Sequence, residues 1–264
     1  MKDFCKLLSV VVILGSLSGG AYAQEAPVEA KRPAFLDNFS NLPLEEREAY
    51  GKAKLKAHQF FTQKRTFESL EQIHEALLIF DEDPGIWNLK GSCHVEFRSF
   101  DKAQIAFQKA LALEPNNTGV LFNIAEMHFV TKDWKKCIEK MTNLAELLEV
   151  ENKGTANPNI LELQRLAIFK SLLSHIKLGQ KDKAIELAES NWDDFDDTPF
   201  TYYSKAALAY SDGEDVKASE WLLSAIRVYG GLQKIANWHD TMIEFGYVQS
   251  FYGGDDEDAN LSGE

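Results

Sequence analysis

The chain is short of the residues that most enzymes and membrane proteins display. It has three cysteines in 264 residues, and one of them, Cys5, lies in the first few residues. It has no hydrophobic run after residue 17 that is long enough to span a bilayer. It has no Gly-rich phosphate loop behind a strand, no H-E-x-x-H, no C-x-x-C and no G-x-S-x-G. Basic residues are outnumbered, with 28 Lys and Arg against 41 Asp and Glu. These absences remove the common phosphate, zinc, thiol-redox and serine-hydrolase chemistries. An excess of negative charge also repels phosphate backbones and anionic lipid heads, so nucleic acid is not an expected partner.

The first 23 residues read as a targeting segment rather than as fold. Lys2 and Lys6 give a positive start, Leu7 to Leu17 is an apolar run of signal-segment length, and Ala21-Tyr22-Ala23 is a small-x-small cleavage pattern. Cleavage after Ala23 is expected to release a periplasmic or secreted product, with no stable membrane insertion afterwards. Its loss removes two Lys and one Asp, which takes the net charge from −13 to −14. The two remaining cysteines, Cys93 and Cys137, are expected to be free thiols. Cys137 stands in a slot that Ala103 fills elsewhere, the place of a small buried hydrophobe.

What is present is a repeat. Trp87 and Leu121, Gly91 and Ala125, His94 and His128, Phe100 and Trp134, Ala103 and Cys137, Phe107 and Met141, and Ala110 and Leu144 are all 34 residues apart. Large residues mostly fall on large ones and small on small. Such a period marks a two-helix unit that buries its apolar face only by stacking on neighbours. The frame extends back through Ser69, Ile73, Ala76 and Leu77. It extends forward, after a slip, through Gly179 and Gly213, Lys183 and Lys217, and Ala184 and Ala218.

The units expected are 50–83, 84–117, 118–151, 165–198 and 199–232, followed by a capping helix at about 233–246. The Gly-, Asn- and Pro-bearing insertion at about 152–164 reads as a surface loop or a frayed helix extension. Residues 24–42 read as a flexible leader, with the folded array over 43–252, and 253–264 read as an acidic disordered tail.

Within 84–117, Trp87, Gly91, Phe100, Ala103, Phe107, Ala110 and Pro115-Asn116-Asn117 resemble the tetratricopeptide repeat. Lys90 and His94 depart from that pattern, which usually has Leu and Tyr there. The resemblance implies an all-α, right-handed superhelical solenoid of about five helix hairpins with a C-terminal capping helix. It also implies a non-catalytic scaffold whose first helices line a concave groove at positions i, i+4 and i+7.

Carried onto this chain, those positions are Lys54, His58 and Phe61 in the first unit. They are Asn88, Ser92 and Val95 in the second, Phe122, Glu126 and Phe129 in the third, Phe169, Leu173 and Ile176 in the fourth, and Tyr203, Ala207 and Tyr210 in the fifth. Apolar and aromatic side chains in a concavity mark either a site for apolar peptide segments or a surface covered by the chain itself. The stretches 195–203 and 245–252 are the candidates for such a cover. A carboxylate clamp of the family's kind is matched only at Asn123.

The partner implied is a protein or peptide, with no cofactor and no metal. The rival reading is a structural component of an extracytoplasmic assembly that associates with itself. His94, His128 and His175 share one slot; they read as interior packing positions, too far apart for shared ligation of a metal.

Overall fold

The computed structural model describes residues 34–153, 156–193 and 197–249. The targeting segment, most of the leader and the acidic tail lie outside those residues. Most of the described residues are helical, and there is no strand among them. The chain divides into two compact units between Met127 and His128.

The N-terminal unit begins with a short helix, α1 (Ala34–Ser40). Two helix hairpins follow: α2 (Leu44–Thr62) with α3 (Thr66–Ile79), and α4 (Pro84–Glu96) with α5 (Phe100–Leu113). The next helix, α6 (Thr118–Val130), crosses the division. The leader was expected to be flexible, but residues 34–40 within it form a helix. Phe39 of α1 sits 5.2 Å from the ring of Tyr50 and 5.3 Å from that of Phe80, and Asn38 donates to the Glu82 carboxylate. Burying one aromatic ring against two others is enough to fold a helix too short to persist alone.

Inside each hairpin the two helices approach through small residues. Ala57, Ala103, Ala106 and Ala110 are fully or almost fully buried. At Gly91 the approach leaves no room for a side chain. A Cβ added there would stand 2.3 Å from Cε1 of Phe107, so the aromatic ring of α5 fills the space that any side chain on α4 would need. The Ser69 hydroxyl donates to the Ala57 carbonyl at 2.9 Å, and the Cys93 thiol donates to Ser69. Cys93 and Cys137 are both free and buried. Burial pushes the Cys93 thiol up to about 12, which keeps it neutral and unreactive.

The C-terminal unit continues with α7 (Trp134–Asn152), α8 (Pro158–Lys177) and α9 (Lys181–Ser190). Beyond these lie α10 (Phe200–Ser211), α11 (Asp215–Val228), a 3-10 turn at Leu232–Ile235 and α12 (Ala236–Phe245). Of the two readings of the insertion at about 152–164, a surface loop or a helix extension, the helix boundaries fit the second. Helix α7 runs on to Asn152, α8 already starts at Pro158, and Leu163 and Gln164 are buried. Asn157 caps α8 by accepting from the Asn159 amide at 3.0 Å, and Pro158 stands at the first helical position, where a missing N–H costs nothing. The residues that looked like loop are a helix start. The insertion lengthens α7 and α8, which pack on each other.

One device recurs at the ends of α2, α4, α6, α8 and α10. Each is followed by a residue in the left-handed region: Lys64 (φ 60°), Arg98 (φ 54°), Lys132 (φ 60°), Gly179 (φ 70°) and Gly213 (φ 74°). In each, the amide of the following residue reaches back five positions, to the carbonyls of Phe60, His94, His128, His175 and Ala209. This is the Schellman closure, which satisfies carbonyls that a helix end leaves open.

Glycine adopts this backbone freely, whereas a side chain costs about 1 kcal/mol or more. Lys132→Gly is therefore expected to stabilise by about 0.5–1 kcal/mol after glycine's larger chain entropy is subtracted. Gly213→Ala, where a Cβ would meet nothing within 4 Å, isolates the same backbone effect with the opposite sign. Chemical denaturation of the two variants checks both; an unchanged or lower midpoint for Lys132→Gly contradicts the assignment of strain.

Candidate functional site

The fifteen positions assigned to the groove are on the helices expected, but all of them are buried or half-buried. In the N-terminal unit Asn88, Ser92, Val95, Phe122 and Glu126 are all buried. Asn123 donates to the Asn88 side-chain oxygen at 2.9 Å, and the Ser92 hydroxyl turns back to the Asn88 carbonyl. This polar set is used within the fold.

In the C-terminal unit Phe129, Phe169, Leu173 and Tyr203 are also buried, and only Ile176 and Tyr210 are half-buried. Of the two readings of this surface, an apolar site or a face covered by the chain itself, the contacts fit the second: α12 lies against Phe129, Phe169 and Tyr203, and Tyr247 lies against Tyr210. The spacing of the residues marked the right helix faces but could not report what lies on them.

Helix α12 presents Trp238, Met242 and Phe245 on one stripe, at i, i+4 and i+7, and all three are buried. The Trp238 ring lies 5.5 Å from Phe169, 5.8 Å from Tyr203 and 6.5 Å from Phe200. Its indole N–H donates to the Glu162 carboxylate at 3.3 Å. Two turns further along, Phe245 stacks on Phe129 at 6.2 Å and meets Trp134 at 6.1 Å. Tyr247, just past the helix end, packs on Phe245 at 4.7 Å and stacks on Tyr210 at 5.1 Å. Gly246, left-handed at φ 90°, turns the chain to bring Tyr247 there.

A lysine is built into this apolar seat. Lys170 is 1 % exposed; its ammonium lies 4.3 Å from the centre of the Phe129 ring and 3.8 Å from the Glu244 carboxylate of α12. A second lysine, Lys177, lies 4.4 Å over Phe245. An ammonium over an aromatic face is attracted by the ring quadrupole, most strongly where water is excluded. Burial, with help from the Asp240 charge, raises the Tyr203 hydroxyl above its ordinary range. Burial holds His239 below its ordinary value against the pull of Asp240. Both groups are neutral near pH 7.

Lys170, Glu244 and Trp238 were not among the residues singled out. A lone lysine within the apolar run Leu166–Leu173 and the Trp-x-x-x-Met-x-x-Phe spacing of α12 were the available signals.

His94, His128 and His175 are half-buried. Burial lowers His94 and His128 below their ordinary values; Lys90 and Lys102 add to the effect on His94, and Asp133 opposes it at His128. His175 Nδ1 pairs with the Gln180 side chain at 2.7 Å. Among the described residues no group of three or more His, Cys, Asp and Glu is placed to hold a metal ion. No helix of the described chain is long and apolar enough to cross a membrane.

Residues 84–117 match the tetratricopeptide repeat family model. Human protein O-mannosyl-transferase TMTC3 is 28 % identical over 127 residues, which is 48 % of this chain and 13 % of that protein. The chain thus spans about an eighth of that relative's length. The structure reported as a functional characterisation of Pseudomonas aeruginosa pilF is similar over 79 % of this chain and 96 % of that one, with a TM-score of 0.52 at 14 % identity. A thermophilic tetratricopeptide repeat protein of Thermus thermophilus, TTC0263, is similar over 74 % of this chain and all of that one, with a TM-score of 0.51 at 15 % identity. The residue pattern of 84–117, the hairpins and these neighbours agree: residues 84–117 form a tetratricopeptide repeat, and the chain has the all-α fold of tetratricopeptide repeat proteins.

Proposed function

We propose that this protein is a non-catalytic protein–protein interaction scaffold that works outside the cytoplasm. The hairpin fold carries the first half of the reading, because each hairpin offers side chains for a partner while its small residues hold the array together. The positive start, apolar run and Ala21-Tyr22-Ala23 support the second half. Its partner presents apolar or aromatic segments. Because α12 lies on Phe129, Phe169 and Tyr203, such a segment reaches these residues only in place of α12.

Crosslinking in the native compartment, followed by mass spectrometry, tests the reading. Recovery of a recurring protein partner, on a chain whose N-terminus is Gln24, is the expected result. A chain that keeps residues 1–23 and crosslinks to nothing overturns it. The aromatic run 245–252 also favours a second reading, a self-associating structural component; sedimentation at increasing concentration would then show growing oligomers.

A further inference from the structure

The seat of α12 describes a ligand. It takes an indole against Phe169, Tyr203 and Phe200, with a hydrogen-bond acceptor for its N–H on Glu162. One turn on, it takes an unbranched apolar chain, Met242, of the adaptable kind suited to exchange. A further turn on, it takes an aromatic ring between Phe129 and Trp134, and beside it the Lys170 ammonium selects a carboxylate. Ten residues are too few for a helix to persist in water, so α12 is helical because of the seat.

Two consecutive glycines make the connection to α11. Gly230 and Gly231 have φ of +71° and +130°, a backbone that other residues rarely adopt. A short 3-10 turn is all that lies between them and α12. A pair of such residues absorbs large changes of direction at little cost.

Resting on the scaffold reading above, we infer that the α8–α10 face is a helix-binding site with α12 as its resident and displaceable occupant. The partner it receives is an amphipathic helix with bulky apolar side chains at i, i+4 and i+7 and a carboxylate at i+6. The resident helix competes with that partner. The apparent affinity is therefore reduced by the fraction of molecules in which the site is open.

A labelled peptide of residues 232–249 serves as the probe, titrated against the full chain by fluorescence anisotropy. Weak binding to wild type is expected. Glu244→Lys in the protein sets a like charge against Lys170 and loosens the resident helix without opening a cavity; the peptide is expected to bind this variant about tenfold or more tighter. The same peptide carrying Glu244→Lys is expected not to bind. Trp238→Ala in the protein gives a second loosened chain, so the test survives if one variant fails to fold by circular dichroism.

No binding to wild type and to whichever variant folds overturns the inference, as does equal binding to all. A concentration-dependent dimer that the peptide dissociates would place a second copy's α12 in the seat and also overturn the assignment to a foreign helix. Native partners that crosslink equally to wild type and Glu244→Lys, with no peptide bound, would leave the scaffold reading standing and sink this one alone.

Discussion

A chain carrying both Phe122→Ala and Phe129→Ala is expected to unfold, not to fold and lose binding. Both rings are buried, at 0 % and 2 % exposure. Phe122 belongs to the core of the N-terminal unit. Phe129 is enclosed by Trp134, Phe245 and the Lys170 ammonium. Each truncation costs about 3–5 kcal/mol through lost transfer energy and the cavity left behind. Together the two losses approach the whole stability of an ordinary domain, about 5–15 kcal/mol. Far-ultraviolet circular dichroism during chemical denaturation reads this directly. A double variant that melts like wild type would mean that these rings are open to solvent.

Asp83→Ala is expected to be the costliest single change in the N-terminal unit outside its apolar core, at roughly 3 kcal/mol. One carboxylate accepts from three donors: the Tyr50 hydroxyl at 2.6 Å, the Gly85 amide at 2.7 Å, and the Lys54 ammonium. It caps α4 and ties α2 to it. Alanine removes the cap and leaves a buried tyrosine hydroxyl without its acceptor.

The same site sets a pH dependence. Burial pushes the Asp83 carboxyl up. The Lys54 charge and the hydrogen bonds from Lys54, Tyr50 and Gly85 outweigh that and hold it below its ordinary value. A carboxyl with a depressed folded-state value stabilises fully above the ordinary range, near about pH 4. Its contribution is lost as pH falls through the lower folded value. Wild-type stability should therefore drop below about pH 4, and Asp83→Asn, already weaker at neutral pH, should lack that part of the drop. Parallel acid slopes in the two proteins would remove Asp83 from the account.

The packing of the hairpins was legible because it depends on size at fixed spacing. Gly91 had to be small because Phe107 fills the space beside it, and the 34-residue recurrence exposed that slot without any structure. The caps were less legible, since Asn157-Pro158 has the same composition as a loop and differs only in which helical position each residue takes. The left-handed turns at Lys64, Arg98 and Lys132 carried no glycine to announce them. Helix α1 escaped notice because its stability comes from the rings of Tyr50 and Phe80, distant in sequence. For the groove, the i, i+4, i+7 spacing of Phe169, Leu173 and Ile176 gave the helix face, but occupancy is a property of tertiary packing. Trp238 could be matched to that face only once α12 was seen lying on it.

The most direct test of the whole account is amide hydrogen exchange of the full chain, read by mass spectrometry over α8 and α12. A seated but displaceable α12 predicts clear protection of residues 236–245, lost sooner than the protection of 163–174 because a local opening at Gly230-Gly231 frees the one and not the other. Exchange of 236–245 at the rate of an unstructured peptide would contradict the covered groove. Protection lost at the same time as that of 163–174 would contradict the separate opening.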